Sequence, residues 1–307
     1  MCFTSQFWDL TVAGLAIGAV YALIALGYTL VYGVLQLINF AHSEVFMLGA
    51  FGGVFALRPL VDETPSGFGS VVFVTVGVLA GGLVGSAAAF VLERTAYRPL
   101  RKRNAPRLAY LISAIGASLF MINIAGKEFG RLATNVPKLY TNGTVFTLFG
   151  AEVKTEQLVL AGVALLMLLL LDRLVNATRL GQGIRAVAQD AETASLMGVD
   201  IDRVIVTTFL IGGFLGGVAG FLFGSITNVQ NTMGFIPGVK AFTAAVLGGI
   251  GNVRGAMLGG LLLGLVENYG VACTDSAYRD VVAFSILVLV LLVRPSGILG
   301  ERLGRSA

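Results

Sequence analysis

The sequence has few charged residues, two cysteines and one histidine, and each shortage excludes a class of protein. Charged residues make up 12% of the 307, whereas a soluble domain of this length needs about a quarter. Cys2 and Cys273 lie far apart without metal-ligand spacing, so we interpret them as separate buried or interfacial thiols. His42 is the only histidine, which excludes a histidine-rich metal site. No basic and aromatic run predicts binding to nucleic acid.

Sequence motifs for nucleotide binding and for catalysis are also missing. No Gly-x-x-x-x-Gly-Lys-Ser/Thr phosphate loop occurs, so we do not expect the chain to bind ATP in that mode. No Gly-x-Ser-x-Gly elbow or Cys/His pair predicts an enzyme. The N-terminus has no Lys or Arg before its first apolar run and no cleavage pattern after it, so we do not expect a removed signal peptide.

Apolar residues and glycine are abundant instead. Hydrophobic residues make up 56% of the chain, which contains 41 glycines, and the mean hydropathy is +0.86. Glycine is tolerated in membrane helices because it lets two backbones approach closely. Recurrent spacing, as at Gly212, Gly216, Gly220 and Gly224, therefore predicts close helix–helix contact.

Long apolar stretches predict the fold class. An apolar helix of about 20 residues crosses the hydrocarbon core of a bilayer. We predict an all-α integral membrane protein, a polytopic helical bundle of about eight membrane segments, in a single transmembrane domain over residues 1–307. The predicted spans are 10–28, 30–57, 70–92, 107–126, 156–175, 203–227, 237–268 and 277–293.

Two of these stretches are too long to be one simple span, and each is interrupted, the first at 39–44 and the second at 248–255. A broken span is tolerated only where protein buries it or where it lines a watery cavity, and transporters point such half-helices at their substrate. A glycine kink that eases packing is the alternative. The residues predicted to form a translocation path are Asn39, His42, Glu44, Gly248, Gly249, Gly251 and Asn252.

The ionisable pair at the first break has three interpretations. Ionisable groups inside a membrane segment are expensive to desolvate, so His42 and Glu44 are functional candidates. If the break lies at the cytoplasmic interface, both groups are simply hydrated. In a structural role, Asn39 and Glu44 satisfy the ends of the broken helix.

Charge in the loops predicts sidedness. The loop between spans three and four is strongly basic, with Glu93 as its one acid, so we place it in the cytoplasm. Residues 127–155 are then outside and 176–202 inside. The basic tail after Arg294 ends inside if 237–268 is a re-entrant half-helix with a returning helix. We predict a hairpin at Asn142-Gly143 in the outer loop, and solvated charges near the last outer loop at Glu267, Arg279 and Asp280.

The inner segment 181–198 predicts one amphipathic helix. Ile184 and Val187 share a small, Ala-rich apolar face without Trp, Phe or Lys anchors. Such a face favours a groove on a protein partner over lipid. Gly198 is suited to end this helix, and Asp200 and Asp202 suit the start of the next.

Five segments carry a resemblance that runs nearly end to end. They are Gly18–Gly33, Leu37–Glu44, Gly181–Gly198, Ala245–Asn252 and Arg294–Gly300. The chain resembles the permease subunits of branched-chain amino acid ATP-binding-cassette (ABC) importers. Ser43 stands where that family usually has Gly, so it either restricts the backbone or adds a hydrogen bond.

The resemblance implies a multi-pass permease of the bacterial plasma membrane that moves Leu, Ile and Val by alternating access. It implies a second homologous permease, two cytoplasmic ATPases that use ATP, an extracytoplasmic solute-binding protein, and no cofactor in the chain itself. It also implies that 181–198 is a coupling helix that docks on the ATPase. The residues of that coupling site are Gly181, Gln182, Arg185, Ala186, Asp190, Ala194 and Gly198.

Two alternatives remain open at this point. Importers of urea or short-chain amides use closely similar permeases. A self-sufficient secondary transporter would work without an ATPase, although it would be expected to carry more buried charges.

Overall fold

The computed structural model describes residues 7–60, 67–140, 143–148, 150–272, 276–294 and 296–300. Cys2 and Cys273 lie outside these ranges. The helices are α1 Phe7–Leu35, α2 His42–Leu57, α3 Phe68–Leu92, α4 Arg98–Lys102, α5 Arg107–Glu128, α6 Thr155–Ala177, α7 Arg179–Gln189, α8 Ala191–Leu196, α9 Ile201–Ile226, α10 Phe235–Gly248, α11 Val253–Ala272 and α12 Arg279–Val293. A π-helical turn covers Glu93–Tyr97, a 3₁₀ turn covers Ser276–Tyr278, and two strands are β1 Thr144–Leu148 and β2 Ala151–Lys154.

The helices confirm the predicted membrane fold class. Within the described ranges, six helices are long and apolar enough to cross a membrane: α1, α3 with its continuation to Lys102, α5, α6, α9 and α11. The shorter apolar helices α2 and α10 correspond to the two interrupted stretches. The count of eight membrane segments stays a prediction.

The first helix is longer than predicted. It runs unbroken for 29 residues, or about 43 Å at 1.5 Å per residue, so the predicted boundary at 28–30 was wrong. Thr29 is buried within this helix, and its hydroxyl does not interrupt it. The chain breaks later, after Leu35, where Gln36 adopts a left-handed φ of +51°.

Helix α9 lies at the centre of the bundle, against α1, α2 and α3. A Cβ at Gly217 would meet the Gly81 carbonyl oxygen on α3, and one at Gly220 would meet the Phe46 carbonyl oxygen on α2. These positions therefore accept no side chain without separating the helices. The predicted glycine contacts are confirmed, and they lie within the chain.

Helices α5 and α6 lie at the periphery and expose apolar side chains outward. The large exposed ones include Leu108, Ile112, Leu119 and Phe120 on α5, and Leu165, Leu166, Leu169 and Leu170 on α6. In a membrane these faces meet lipid or another membrane subunit.

The predicted inner segments lie at one end of the bundle. Arg101 in the basic loop binds Asp202 beside the coupling segment, and Arg254, just past the glycine-rich break, binds Asp172 near the end of α6. At the opposite end, the Asp9 carboxylate at the start of α1 accepts a hydrogen bond from Glu152 N in the hairpin. The segments predicted to lie inside and those predicted to lie outside are therefore at opposite ends of the bundle.

The hairpin in the outer loop exists, but its turn is not where it was predicted. Strands β1 and β2 pair antiparallel, and Gly150, directly before β2, has a φ of +90°. Gly143 precedes β1, and Asn142 lies outside the described residues. Glycine at 150 supplies the positive φ that this short connection needs.

The stretch 237–268 forms a short helix, α10, and a returning helix, α11, as predicted. The break between them lies at the predicted cytoplasmic end of the bundle rather than inside it. Ile298 N and Leu299 N of the tail donate to the carbonyls of Leu247 and Gly248, at 2.8 and 3.0 Å. The tail thereby satisfies the end of α10. The chain is non-helical instead at 227–234, between the end of α9 and the start of α10.

Candidate translocation and coupling sites

The two short helices begin side by side in the interior of the bundle. Gly234, which precedes α10, packs against Ser43 and Glu44 in the first turn of α2, and Gly238 packs against Ser43. Helix N-termini carry partial positive charge from unpaired N–H groups. Discontinuous membrane helices of transporters use such ends to hold anionic groups.

Glu44 occupies this meeting point. Its side chain is fully buried, at 0% exposure, although Glu is rarely buried without a partner. The hydroxyls of Ser43 and Ser118 lie 3.1 and 3.2 Å from Glu44 Oε1. Glu44 Oε2 has no hydrogen-bond partner among the described residues. The carboxyl group can therefore accept a hydrogen bond from a cationic or protonated group that reaches it.

His42 is buried next to Glu44. Its ring lies against Gly27 and Gly216, and its centroid is 4.8 Å from that of Tyr28. Within the described structure, His42 Nε2 also lacks a hydrogen-bond partner. Because both ionisable groups are buried, the interpretation that they are hydrated at an interface was wrong.

Asn39 has a structural role at this break. Its side-chain oxygen accepts hydrogen bonds from Ala41 N at 3.1 Å and from the Tyr97 hydroxyl at 2.9 Å. The Ser43 hydroxyl lies 2.9 Å from the Phe40 carbonyl oxygen. Serine therefore adds a local hydrogen-bond donor at a position where glycine has none.

The other predicted path residues lie elsewhere. Gly248, Gly249, Gly251 and Asn252 form the turn at the end of α10, where Asn252 Nδ2 donates to the Leu299 carbonyl at 2.9 Å. Gly249 and Gly251 have φ values of +106° and +95°. The structure does not bring these four residues to Glu44, and their part in the path stays a prediction.

A charge cluster centred on the buried Lys240 and Glu267 joins α1, α10, α11 and α12. Lys240 Nζ lies 2.9 Å from Glu267 Oε1 and 2.7 Å from Asp280 Oδ1. Glu267 is fully buried and also receives Arg279 Nε at 3.4 Å and the Tyr21 hydroxyl at 3.4 Å. The prediction that Glu267 is solvated was wrong.

Lys240 was not predicted as a functional residue. The available signal was a lysine inside the same apolar stretch as Glu267, because two opposite charges there favour a buried pair.

The coupling segment is two helices rather than the one predicted. Asp190 ends α7 and caps α8, accepting hydrogen bonds from Glu192 N at 2.9 Å and Thr193 N at 3.2 Å. Hydrogen bonds from the hydroxyl and amide of Thr193 hold the pKa of Asp190 below its ordinary value. An aspartate that caps the following turn competes with continuation of the helix.

The apolar face of this segment packs on the chain itself. Ile184, Val187 and Ala194 are buried in one cluster with Tyr97 and Ile205. The prediction that this face enters a partner's groove was therefore wrong. Leu196 and Met197 are instead 82% and 81% exposed. Their signal in the sequence was two large apolar residues immediately before a turn at Gly198.

The predicted coupling residues divide into two groups by burial. Gly181 and Ala194 are buried and Ala186 is half-buried, whereas Gln182, Arg185, Asp190 and Gly198 are exposed. A side chain at Gly181 would meet the Val175 carbonyl oxygen. Arg185 donates to that same carbonyl, and Gly198 has a φ of +85°. The buried group holds the segment on the bundle, and the exposed group faces outward.

A chain of polar contacts connects the coupling segment with the start of α2. Asp202, in the first turn of α9, accepts a hydrogen bond from Arg101 Nη2 at 2.7 Å. The same nitrogen lies 3.1 Å from Glu93 Oε1. Glu93 begins the π-helical turn that ends at Tyr97, whose hydroxyl binds Asn39. Single π turns often lie at functional sites.

The fold and the site are typical of a multi-pass membrane transport protein. It has long apolar helices, two short helices that meet at a buried carboxyl group, and a segment exposed at one end. The resemblance inferred from the motifs is confirmed. The chain belongs to the family described as branched-chain amino acid transport system, permease component, which matches residues 10–291.

Named relatives extend over nearly the whole chain. It is 43% identical over 295 residues to the high-affinity branched-chain amino acid transport system permease protein LivH of Salmonella typhimurium, covering 94% of each chain. The corresponding permease protein BraD of Pseudomonas aeruginosa is also 43% identical, with 94% of each covered. The fructose import permease protein FrcC of Rhizobium meliloti matches only 40% of this chain, at 31% identity. No solved structure shows a significant match.

Proposed function

We propose that the chain is the membrane-spanning permease subunit of an ABC importer that translocates Leu, Ile and Val. The observation that carries this proposal is 43% identity over 94% of both chains to permeases named for these substrates. A sugar permease matches less than half of the chain, and no observation favours urea or short-chain amides. Residues 1–307 act as one transmembrane domain.

The permease works in a bacterial plasma membrane with separate partners. These are a second homologous permease, two cytoplasmic ATPases that hydrolyse ATP, and an extracytoplasmic solute-binding protein. The chain itself contributes a path and uses no cofactor. It is a transport subunit, and catalysis belongs to the ATPases.

The coupling segment transmits the ATPase motion by two routes. Leu196 and Met197 dock on the ATPase, which is supported by their exposure of 82% and 81% at the end of α8. The first route is α9, which follows the segment directly. The second is the contact from Asp202 through Arg101 and Glu93 to the π turn, which then reaches α2.

The path runs past the paired N-termini of α2 and α10. A branched-chain amino acid carries an ammonium group, which Glu44 Oε2 can accept as the unpartnered oxygen of a buried carboxyl. Its carboxylate suits the N–H groups of a helix start. The substrate reaches this point when alternating access separates α5 and α10 from α2.

Uptake into vesicles that contain the reconstituted complex tests this function. We expect ATP-dependent uptake of labelled leucine that unlabelled isoleucine and valine inhibit, without uptake of urea or ribose. Uptake of urea or ribose in place of leucine would overturn the substrate. Leucine transport by the permease alone, without ATPases or nucleotide, would overturn the class of transporter.

A further inference from the structure

We propose that a basic concavity at the predicted cytoplasmic end of the bundle binds the headgroup of an anionic phospholipid. Arg94, Arg98, Pro99, Lys102 and Arg103 line this concavity, whose volume is about 370 Å³. Four of these five side chains are cationic, and no acid is among them. Basic pockets on the cytoplasmic side of membrane helices bind anionic headgroups.

Three of the four cations that line this concavity have no acidic partner within the described chain. Glu93 and Asp202 are the acids nearby, and both bind Arg101, while Arg98 lies 3.6 Å from Asp202. Arg94, Lys102 and Arg103 form no ion pair with any residue that the structure describes. Arg98 Nε is buried and has no acceptor there either. A phosphodiester can satisfy several such donors at once.

Adjacent apolar surface favours a lipid over a soluble anion. Phe90 and Val91 are exposed on α3 about one turn before Arg94, and Leu108 and Ile112 are exposed at the start of α5. A phospholipid contacts both kinds of surface, with its headgroup in the concavity and an acyl chain along the exposed end of α3. A free phosphate would use only the cationic part.

Native mass spectrometry of the full complex, released from nanodiscs, measures which lipids stay bound. We expect wild-type complex to retain phosphatidylglycerol in preference to phosphatidylcholine. The double variant Lys102→Gln/Arg103→Gln should weaken that retention by about 30-fold, because each surface cation contributes about fivefold. The charge-preserving variant Lys102→Arg/Arg103→Lys should retain the lipid, and its assembly into complex checks that the loop folds.

Arg173→Gln is the matched control, because Arg173 is an exposed cation at the same end on α6, outside the concavity. Equal retention of the two lipids by wild type would overturn the proposal. So would an equal loss of retention in Arg173→Gln. Displacement of the lipid by equimolar inorganic phosphate would identify a soluble-anion site. Retention by the permease subunits purified without ATPases, but not by the full complex, would identify a protein interface. None of these readouts depends on leucine uptake.

Discussion

Glu44 combines complete burial with an oxygen that no described residue satisfies, and His42 beside it is buried too. Carboxylates in such positions need a partner, because burying an unpaired charge is expensive. The two adjacent helix N-termini and two serine hydroxyls stabilise the carboxyl partly. In the proposed path, this remaining oxygen accepts a hydrogen bond from the ammonium group of the substrate.

Replacing Glu44 by Gln keeps the shape and the contacts with Ser43 and Ser118 but removes the negative charge. Hydrogen bonds to charged groups contribute about 1.5–3 kcal/mol, so leucine uptake should fall by about 10- to 100-fold. Initial rates of leucine uptake by the reconstituted complex measure the effect. Glu128→Gln is the control, because Glu128 is exposed at the end of α5. Unchanged uptake by Glu44→Gln would remove Glu44 from the path.

Lys240 and Glu267 form a buried pair, and breaking such a pair is more harmful than deleting it. Lys240→Met removes the nearest cation from the buried Glu267 carboxylate and leaves it only the longer contacts with Arg279 and Tyr21. It should therefore lower the free energy of unfolding by up to about 3–5 kcal/mol. The double variant Lys240→Met/Glu267→Met should recover most of that loss. Thermal unfolding of the purified protein compares the two. A double variant less stable than the single one would show that the cluster does more than neutralise charge.

At the scale of helices, the proposed coupling requires that motion of α7 and α8 reaches α2. Helix α9 is packed through glycine against both α2 and α3, so we expect it to move with them as one body. The ion pairs around Arg101 add a route through the π turn. Tyr97 is the last residue of that turn, and its hydroxyl donates a hydrogen bond to the side-chain oxygen of Asn39.

Tyr97→Phe removes this hydroxyl and keeps the buried ring. We expect the complex to assemble and hydrolyse ATP while leucine taken up per ATP hydrolysed falls severalfold, since α2 no longer follows the turn through this contact. Parallel measurement of phosphate release and leucine uptake gives that ratio. Tyr278→Phe, at an exposed position, should leave it unchanged. An unaltered ratio in Tyr97→Phe would leave α9 as the sole route.

For the whole molecule, the proposed docking on the ATPases predicts that assembly depends on the exposed end of α8. The double variant Leu196→Ser/Met197→Ser should lose ATPase subunits on co-purification, because it removes the exposed apolar side chains proposed to dock on them. These side chains bury little within the chain, so the variant's own thermal stability should stay close to that of wild type. Leu132→Ser is the control, since Leu132 is 86% exposed and lies in the predicted outer loop. Full co-purification of the double variant would place the docking surface elsewhere.

The sequence by itself determined the membrane environment, the helical class, the two interrupted crossings and the family. Each of these follows from composition, from runs of apolar residues or from local motifs such as Asn39–Glu44. The segregation of the basic loop, the coupling segment and the tail to one end was also predicted, because loop charge reports sidedness.

Tertiary structure decided which of these features meet. Local patterns carry no distances between segments, so they could not show that α2 and α10 begin beside Glu44 while the break at 249–252 lies at the far end of α10. They could not show that Ile184 and Val187 pack inward and leave Leu196 and Met197 exposed, since an amphipathic face has no preferred partner until the bundle forms. Nor could they pair Lys240 with Glu267. Burial of a charge is a property of the assembled helices, and only their packing determines which groups lose water together.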